Sequence, residues 1–299
     1  MNTVRLITDS ASDITLEQER DLDIKIMSHS FTIGDRTYTS RHDINNSEFY
    51  KLLDGCENVP GMTQIPTEEW LRTYEEFSKV EGVTDIMVVV TSARGSHSCD
   101  NALIAKTNYY LKYPKQRGDF NIHVYDSAAY SGIFGYAITQ AAAKAKAGAD
   151  IHEVRAILND WLSNAYALLF CQDLKYAKKS PVLSSVSNLR GEMLGIKPII
   201  KIFRAHPEII KKVRGGKRVA SSIASIAKGD MIPKTPYIII WGSDENLRDQ
   251  MAAAMEKTLG YPPAEFCQVG AEVACNSGHQ IMGVVIKGKT NFFERHYQY

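Results

Sequence analysis

The sequence lacks several features that would place it outside the ordinary globular proteins. Its 299 residues contain no run near the ~18 consecutive apolar residues of a membrane-spanning helix. Its formal net charge is +1, so it has no overall basic character for nucleic acid. Its first residues lack the apolar core of a signal peptide. We therefore expect a cytoplasmic protein with no nucleic-acid partner and no stable membrane insertion.

Signals for disulfide and metal chemistry are also missing. The five cysteines are an odd number, are widely spaced and include no C-x-x-C pair. The eight histidines are scattered without the spacing of metal ligands. This usage is typical of a reducing compartment, and it predicts neither a disulfide framework nor a metal site.

Two short motifs look functional, but the residues within them argue against that interpretation. The segment from Gly283 to Thr290 matches the pattern G-x-x-x-x-G-K-[ST]. A phosphate-binding loop needs flexible backbone between its glycines, whereas the residues here are strand formers. The run Ser-His-Ser at 96–98 and the nearby Asp100 lie on one segment, so their side chains point in different directions. We therefore predict no catalytic residue and no cofactor.

Polar side chains follow three short, β-branched apolar runs. The pairs are Asp9-Ser10, Thr91-Ser92 and Asp126-Ser127, and they follow the runs 4–7, 86–90 and 122–125. Such runs are typical of buried strands, and an open parallel sheet binds ligands at the carboxyl ends of its strands. Hydroxyls beside helix N-termini suit a carboxylate or phosphate, so Ser10, Ser92 and Ser127 are candidate binding residues.

The two halves of the chain differ in pattern. The first half alternates strands and helices, which indicates an α/β layer with a parallel sheet. The second half has weaker alternation and more hairpins, which favours a mixed sheet with helices. We predict an N-terminal parallel-sheet α/β domain at 1–160 and a C-terminal mixed-sheet α/β domain at 161–299.

Seven segments, taken in order, resemble motifs of the DegV family, which includes the fatty-acid-binding subunits of bacterial fatty acid kinases. The segments are Thr8-Asp9-Ser10-Ala11-Ser12-Asp13-Ile14, Asp43-Ile44 with Glu48-Phe49-Tyr50, Met62-Thr63-Gln64-Ile65-Pro66-Thr67, Asp126-Ser127 with Gly132 and Gly135, Asp173-Leu174-Lys175-Tyr176, Lys197-Pro198-Ile199-Ile200 and Val213-Arg214-Gly215. Each is weak alone, but the series covers nearly the whole chain. The sequence is therefore identified as a divergent member of that family, with the two-domain DegV-like fold.

The resemblance implies a lipid-binding protein that is not an enzyme. A long-chain fatty acid would lie in a buried tunnel with its carboxylate at the domain interface, for presentation to an ATP-dependent fatty acid kinase subunit. The family's carboxylate-binding hydroxyls correspond to Thr63 and Ser92. Its C-terminal turn corresponds to 276–280, which adds Asn276, Ser277 and His279 to the predicted binding residues.

Two departures from the family pattern leave other functions open. Val182 stands at an arginine position and Asn276 at a histidine position, so two cationic or donor groups are missing. His279, three residues after Asn276, is a candidate substitute. The alternatives are a divergent member that binds another small anion, and a hydrolase or transferase that uses Asp9 or Asp126 as a base.

Overall fold

Strands and helices alternate along most of the chain. The computed structural model describes residues 3–56, 58–180, 182–183 and 195–289. The strands are β1 (Thr3–Asp9), β2 (Lys25–Met27), β3 (Ser30–Ile33), β4 (Arg36–Thr39), β5 (Gly61–Thr63), β6 (Val83–Val90), β7 (Asn121–Asp126), β8 (Ala165–Cys171), β9 (Ile196–Phe203), β10 (His206–Arg214), β11 (Tyr237–Trp241), β12 (Glu265–Gln268) and β13 (Ile281–Lys287). The α-helices are α1 (Leu16–Leu22), α2 (Asn46–Asp54), α3 (Thr67–Phe77), α4 (Ser98–Lys112), α5 (Gly132–Lys146), α6 (Ile151–Leu162), α7 (Lys175–Lys179), α8 (Val219–Asp230), α9 (Glu245–Leu259) and α10 (Ala271–Ser277).

Capping residues set the ends of several helices. Thr15 begins α1, where its Oγ1 accepts from the Gln18 amide and the Gln18 side chain accepts from the Thr15 amide. This reciprocal pair satisfies two amide donors that the helix itself cannot. Asp244 accepts from two amides at the start of α9, and Gly260 ends that helix with a φ of 85°. Thr15, Asp244 and Gly260 are residue types typical of helix ends, so these boundaries follow from the sequence.

The first compact unit contains the described residues within Met1–Asn45, Gly61–Tyr130 and Phe134–Leu162. Its main sheet has the order β2-β1-β6-β7, and every pairing in it is parallel. Ile86, Val88 and Val90 of β6 are fully buried in a core that also contains Trp70 and Tyr109. Burial on both faces explains why this strand reads as a continuous apolar run.

A second, smaller sheet of the first unit is antiparallel, with the order β4-β3-β5. The β3–β4 hairpin turns at Gly34, whose φ of 59° suits glycine, as the sequence predicts. Strand β5 does not follow from the sequence, because its three residues carry no alternating pattern. Thr63, a predicted carboxylate-binding residue, is the last residue of this strand.

The second compact unit contains the described residues within Asn46–Pro60, Ser131–Ile133 and Ser163–Tyr299. Its six-stranded sheet has the order β10-β9-β8-β13-β11-β12, in which only β11 and β12 pair in parallel. Helices α8 and α9 pack on this sheet around Ile223, Met251 and Met255. Gly283, the first residue of the P-loop-like motif, lies within β13, as its strand-forming neighbours predict. Thr290, the last residue of that motif, lies outside the described residues.

The predicted parallel sheet and mixed sheet are both confirmed. A single division of the chain into domains at 1–160 and 161–299 stays a prediction, and the second compact unit also includes two short segments from the first half. None of the helices in the described part of the chain combines the length and hydropathy that crossing a bilayer requires.

Candidate functional site

The carboxyl ends of three neighbouring strands lie at one edge of the parallel sheet in the first unit. β1 pairs with β6, and β6 pairs with β7, both in parallel register. The polar pairs that follow these strands therefore lie along one edge, as the sequence predicts. This edge is where an open α/β sheet presents its ligand-binding groups.

Asp9 joins the ends of β1 and β6. It is fully buried, and its Oδ1 accepts from the Ala11 amide at 3.0 Å. Its Oδ2 accepts from the Thr91 amide, just past the end of β6, at 2.7 Å. Because both carboxylate oxygens are engaged by backbone amides, Asp9 holds the two strand ends together and is poorly placed to act as a base.

Ser92 and Ser127 have different environments, although both are buried at strand ends. The Ser127 hydroxyl accepts from the Ala129 amide and donates to the Ala129 carbonyl, so the hydroxyl closes its own turn. The Ser92 amide donates to that same carbonyl at 3.1 Å. Ser92 Oγ accepts from the Arg94 amide at 3.2 Å, which still allows its proton to be donated to a ligand.

Asp126 shapes the same edge from β7. Its Oδ1 accepts from the Ala93 amide at 3.2 Å and from the Ala128 amide at 2.8 Å. The carboxylate therefore orders the loops on both sides of it. Both amides donate to Oδ1, and a role of Asp126 as a base stays a prediction.

Ser10 belongs to a buried chain of hydrogen bonds through His29, a residue that the sequence did not single out. Ser10 Oγ accepts from the His29 amide at 3.0 Å and lies 3.1 Å from His29 Nδ1. His29 Nε2 lies 3.2 Å from Ser98 Oγ, which accepts from Ser96 Oγ at 2.9 Å. Ser98 therefore contacts His29 and not the adjacent His97, whose Nδ1 lies 3.1 Å from Asp100. No local pattern could reveal this chain, since its members come from separate segments.

Thr63 is exposed at the end of β5, in register with Ser30 of β3. Its hydroxyl is accessible to a ligand, and its role as a carboxylate-binding residue stays a prediction.

Val182, which stands at the family's arginine position, is half-buried, and its amide donates to Ser180 Oγ at 3.1 Å.

Asn276 and Ser277 end α10 in the second unit. Asn276 Oδ1 accepts from Ser180 Oγ at 2.7 Å, and its Nδ2 donates to the Glu272 carbonyl at 2.9 Å. Ser277 Oγ lies within hydrogen-bonding distance of the carbonyls of Val273 and Gly278. These contacts stabilise the end of the helix, and a ligand-binding role for either residue stays a prediction.

His279 lies between a serine and an aspartate that are distant in sequence. Its Nδ1 lies 2.6 Å from Ser243 Oγ, and its Nε2 lies 2.7 Å from Asp54 Oδ1. Its ring stacks on Tyr50 with 5.1 Å between centroids. A Cβ at Gly242 would lie 1.8 Å from the His279 carbonyl oxygen, so a glycine is needed to bring these segments together.

A cavity of about 110 Å³ adjoins His279 in the second unit. It is lined by Asp54, Asp173, Tyr176 and residues 277–280. Nothing in the described ranges groups three or more His, Cys, Asp or Glu side chains as a metal ion would require.

Tyr130 is a further polar residue that the sequence analysis missed. Its hydroxyl is buried and makes no hydrogen bond to any described residue. It comes three residues after Ser127, on the same loop after β7. A tyrosine in an apolar context is usually taken as a core residue, so its hydroxyl drew no attention.

Comparison with known proteins places the chain in a family. The family model described as "Uncharacterised protein, DegV family" matches residues 3–289. The chain belongs to the DegV family. A DegV domain-containing protein of Clostridium perfringens is 28% identical over 231 residues, which cover 77% of this chain and 79% of that protein. The predicted family membership is confirmed.

Solved structures share the fold of this DegV family member. A stearic acid-binding protein from Eubacterium ventriosum has a TM-score of 0.84 and 20% identity, and covers 98% of this chain and 100% of its own. The fatty acid kinase B3 protein of Streptococcus pneumoniae, loaded with linoleic acid, has a TM-score of 0.80 and 15% identity, with 96% and 100% coverage. At these identities the likeness establishes the fold.

The double acceptor role of Asp9 predicts the effect of removing one acceptor. Asp9→Asn should lower the free energy of unfolding by about 1.5–3 kcal/mol, because an amide offers one acceptor oxygen and places an NH₂ group against a buried amide donor. Urea unfolding monitored by circular dichroism measures this change. The matched control is Asp35→Asn, in the exposed β3–β4 turn, which should stay close to wild type. Equal midpoints for the two variants would contradict the assigned role.

Proposed function

We propose that this DegV family member binds a long-chain fatty acid as a ligand and does not transform it. The observation that carries this proposal is the near-complete match of its fold to a protein described as stearic acid-binding. The buried hydroxyls along the edge of the parallel sheet support it, since they suit a carboxylate. Binding of the fatty acid would require no cofactor.

Ser92 and Thr63 are the residues whose hydroxyls are proposed to donate hydrogen bonds to the ligand carboxylate. Ser92 is supported by its buried place after β6 and by a hydroxyl proton that its hydrogen bond to the Arg94 amide does not use. Thr63 is supported by its exposure at the end of β5 and by the family motif. Ser10 and Ser127, whose hydroxyls are engaged locally, would shape the backbone around Ser92. A binding role for Asn276, Ser277 or His279 in the second unit stays a prediction.

The proposed physiological partner is an ATP-dependent fatty acid kinase subunit that phosphorylates the bound acid. Support comes from the shared fold with the protein described as fatty acid kinase B3. We place this activity in the reducing cytoplasm, consistent with five free cysteines.

Native mass spectrometry of the purified protein, before and after incubation with oleate, tests the binding proposal. The expected result is one adduct with the mass of a fatty acid, which denaturation releases. Ser92→Ala and Thr63→Ala should each weaken oleate binding about tenfold or more, because each removes a hydrogen bond to a charged group.

The control for this experiment is Thr107→Ala on the exposed face of α4, which should bind as wild type does. A wild-type protein that stays empty after incubation with oleate and palmitate would overturn the proposal. Stabilisation by phosphate or short acids alone would instead favour a small anionic ligand.

A second candidate function is ester hydrolysis by Ser243. The exposed Ser243 lies between the end of β11 and the start of α9, and it contacts His279, which Asp54 orients. This is the order of nucleophile, base and orienting acid in serine hydrolases, here with Nδ1 of the histidine facing the serine. The Asp54 side chain is 61% exposed, so water competes for it and weakens its orienting effect.

In such a reaction Ser243 Oγ would bond to the ester carbonyl carbon while its proton passes to His279 Nδ1. The alcohol would then leave with that proton, and water would hydrolyse the acyl-serine. A fluorophosphonate probe tests this, since an activated serine displaces its fluoride. The expected result is one covalent adduct, absent in Ser243→Ala and retained in Ser221→Ala on α8. An unlabelled wild-type protein would exclude this candidate.

A further inference from the structure

Tyr130 carries a polar atom whose burial is not compensated within the first unit. Its phenolic oxygen is inaccessible to solvent and has no hydrogen-bond partner among the described residues. A buried hydroxyl without a partner is costly, and such groups in folded proteins are rare enough to need an explanation. A ligand that accepts a hydrogen bond from the Tyr130 hydroxyl would explain why this group is buried.

The phenol faces the loop that follows β6. A Cβ added at Gly95 would lie 2.7 Å from the Tyr130 oxygen, so this glycine leaves the hydroxyl its space. Burial raises the pKa of Tyr130, and the charge of Asp126 adds to that rise. The Ser92 hydroxyl and the charge of Arg94 oppose it. Ser92 and Arg94 are therefore close to the phenol, and the Ser92 hydroxyl interacts with it without reaching the distance and angle of a hydrogen bond.

The groups around the phenol favour an ionised carboxylate. Ser92 and Tyr130 each have a hydroxyl proton to donate, and Arg94 adds a positive charge. Asp126, whose charge adds to the rise in the pKa of Tyr130, already accepts from the amides of Ala93 and Ala128. An acceptor-only, negatively charged group satisfies two hydroxyl donors at once, whereas an alcohol or an ester adds no charge for Arg94.

We propose that Tyr130 is a specificity-determining residue that donates its phenolic hydrogen bond to the ligand carboxylate beside Ser92, with Arg94 supplying the positive charge. This inference rests on the proposed fatty-acid binding. It assigns a donor and a cation within the first unit, in a chain whose family arginine and histidine positions hold Val182 and Asn276. The selected ligand class is the free acid, in preference to the corresponding alcohol or methyl ester.

The test compares affinities for oleate and oleyl alcohol by titration calorimetry in wild type and variants. Tyr130→Phe should weaken oleate binding about tenfold or more and weaken oleyl alcohol binding less, because a hydrogen bond to an ionised carboxylate is stronger than one to a neutral hydroxyl. Arg94→Gln should weaken oleate binding in the same selective way. Tyr125→Phe is the matched control, since its hydroxyl donates to Asn159 on the protein and should not affect selectivity.

Thermal unfolding without ligand separates a binding role from a structural one. Tyr130→Phe should leave the melting temperature unchanged or raised, because the lost hydroxyl has no hydrogen-bond partner among the described residues. A lower melting temperature with unchanged oleate affinity would overturn the inference, as would equal losses for acid and alcohol. Wild-type protein that fails to bind oleate would overturn the proposed function as well, whereas normal oleate binding by Tyr130→Phe would overturn only the role of Tyr130.

Discussion

The arrangement of the first unit depends on one buried carboxylate. Asp9 is fully buried at the end of β1 and accepts from backbone amides on its own loop and at the end of β6. A buried carboxylate is tolerated only when hydrogen bonds replace the lost water, so the two strand ends must stay where they can supply these amides. That constraint holds Thr91 beside Asp9, and it thereby sets the position of the next residue, Ser92.

A second acid continues the same scheme on the neighbouring strand. Asp126 accepts from the amides of Ala93 and Ala128, so the loops after β6 and β7 are tied to each other. The carbonyl of Ala129 accepts from the Ser92 amide and the Ser127 hydroxyl. Carboxylate and carbonyl oxygens thus accept the hydrogen bonds of several backbone amides along this edge. The hydroxyls of Ser92 and Tyr130 can still donate their protons to a ligand. A site built this way suits an acceptor-only head group.

Local pattern predicted most elements of this fold, and it failed where structure depends on distant segments. β6 is recognisable because five consecutive β-branched or apolar residues are bounded by polar ones, and α9 because Asp244 and Gly260 mark its ends. β5 is a strand only because β3 supplies its hydrogen-bonding partner. The contacts of His29 and His279 could not be predicted from local pattern, since they come from segments dozens to hundreds of residues away. Gly242 must be a glycine because the backbone of His279 lies against it, and this requirement cannot be recognised from the sequence alone.

The central claim is that hydroxyl donors hold the ligand as an ionised carboxylate. The most direct measurement is the ¹³C chemical shift of oleate labelled at its carboxyl carbon, followed in the complex as the pH is varied. Hydrogen bonds to the charged form lower the pKa of a carboxyl group, which for a glutamate side chain in water is about 4.3. The account therefore predicts that the bound signal stays at the ionised position from about pH 8 down to about pH 5. A bound signal that titrates within this window would mean that burial in an apolar environment dominates, and it would contradict the account.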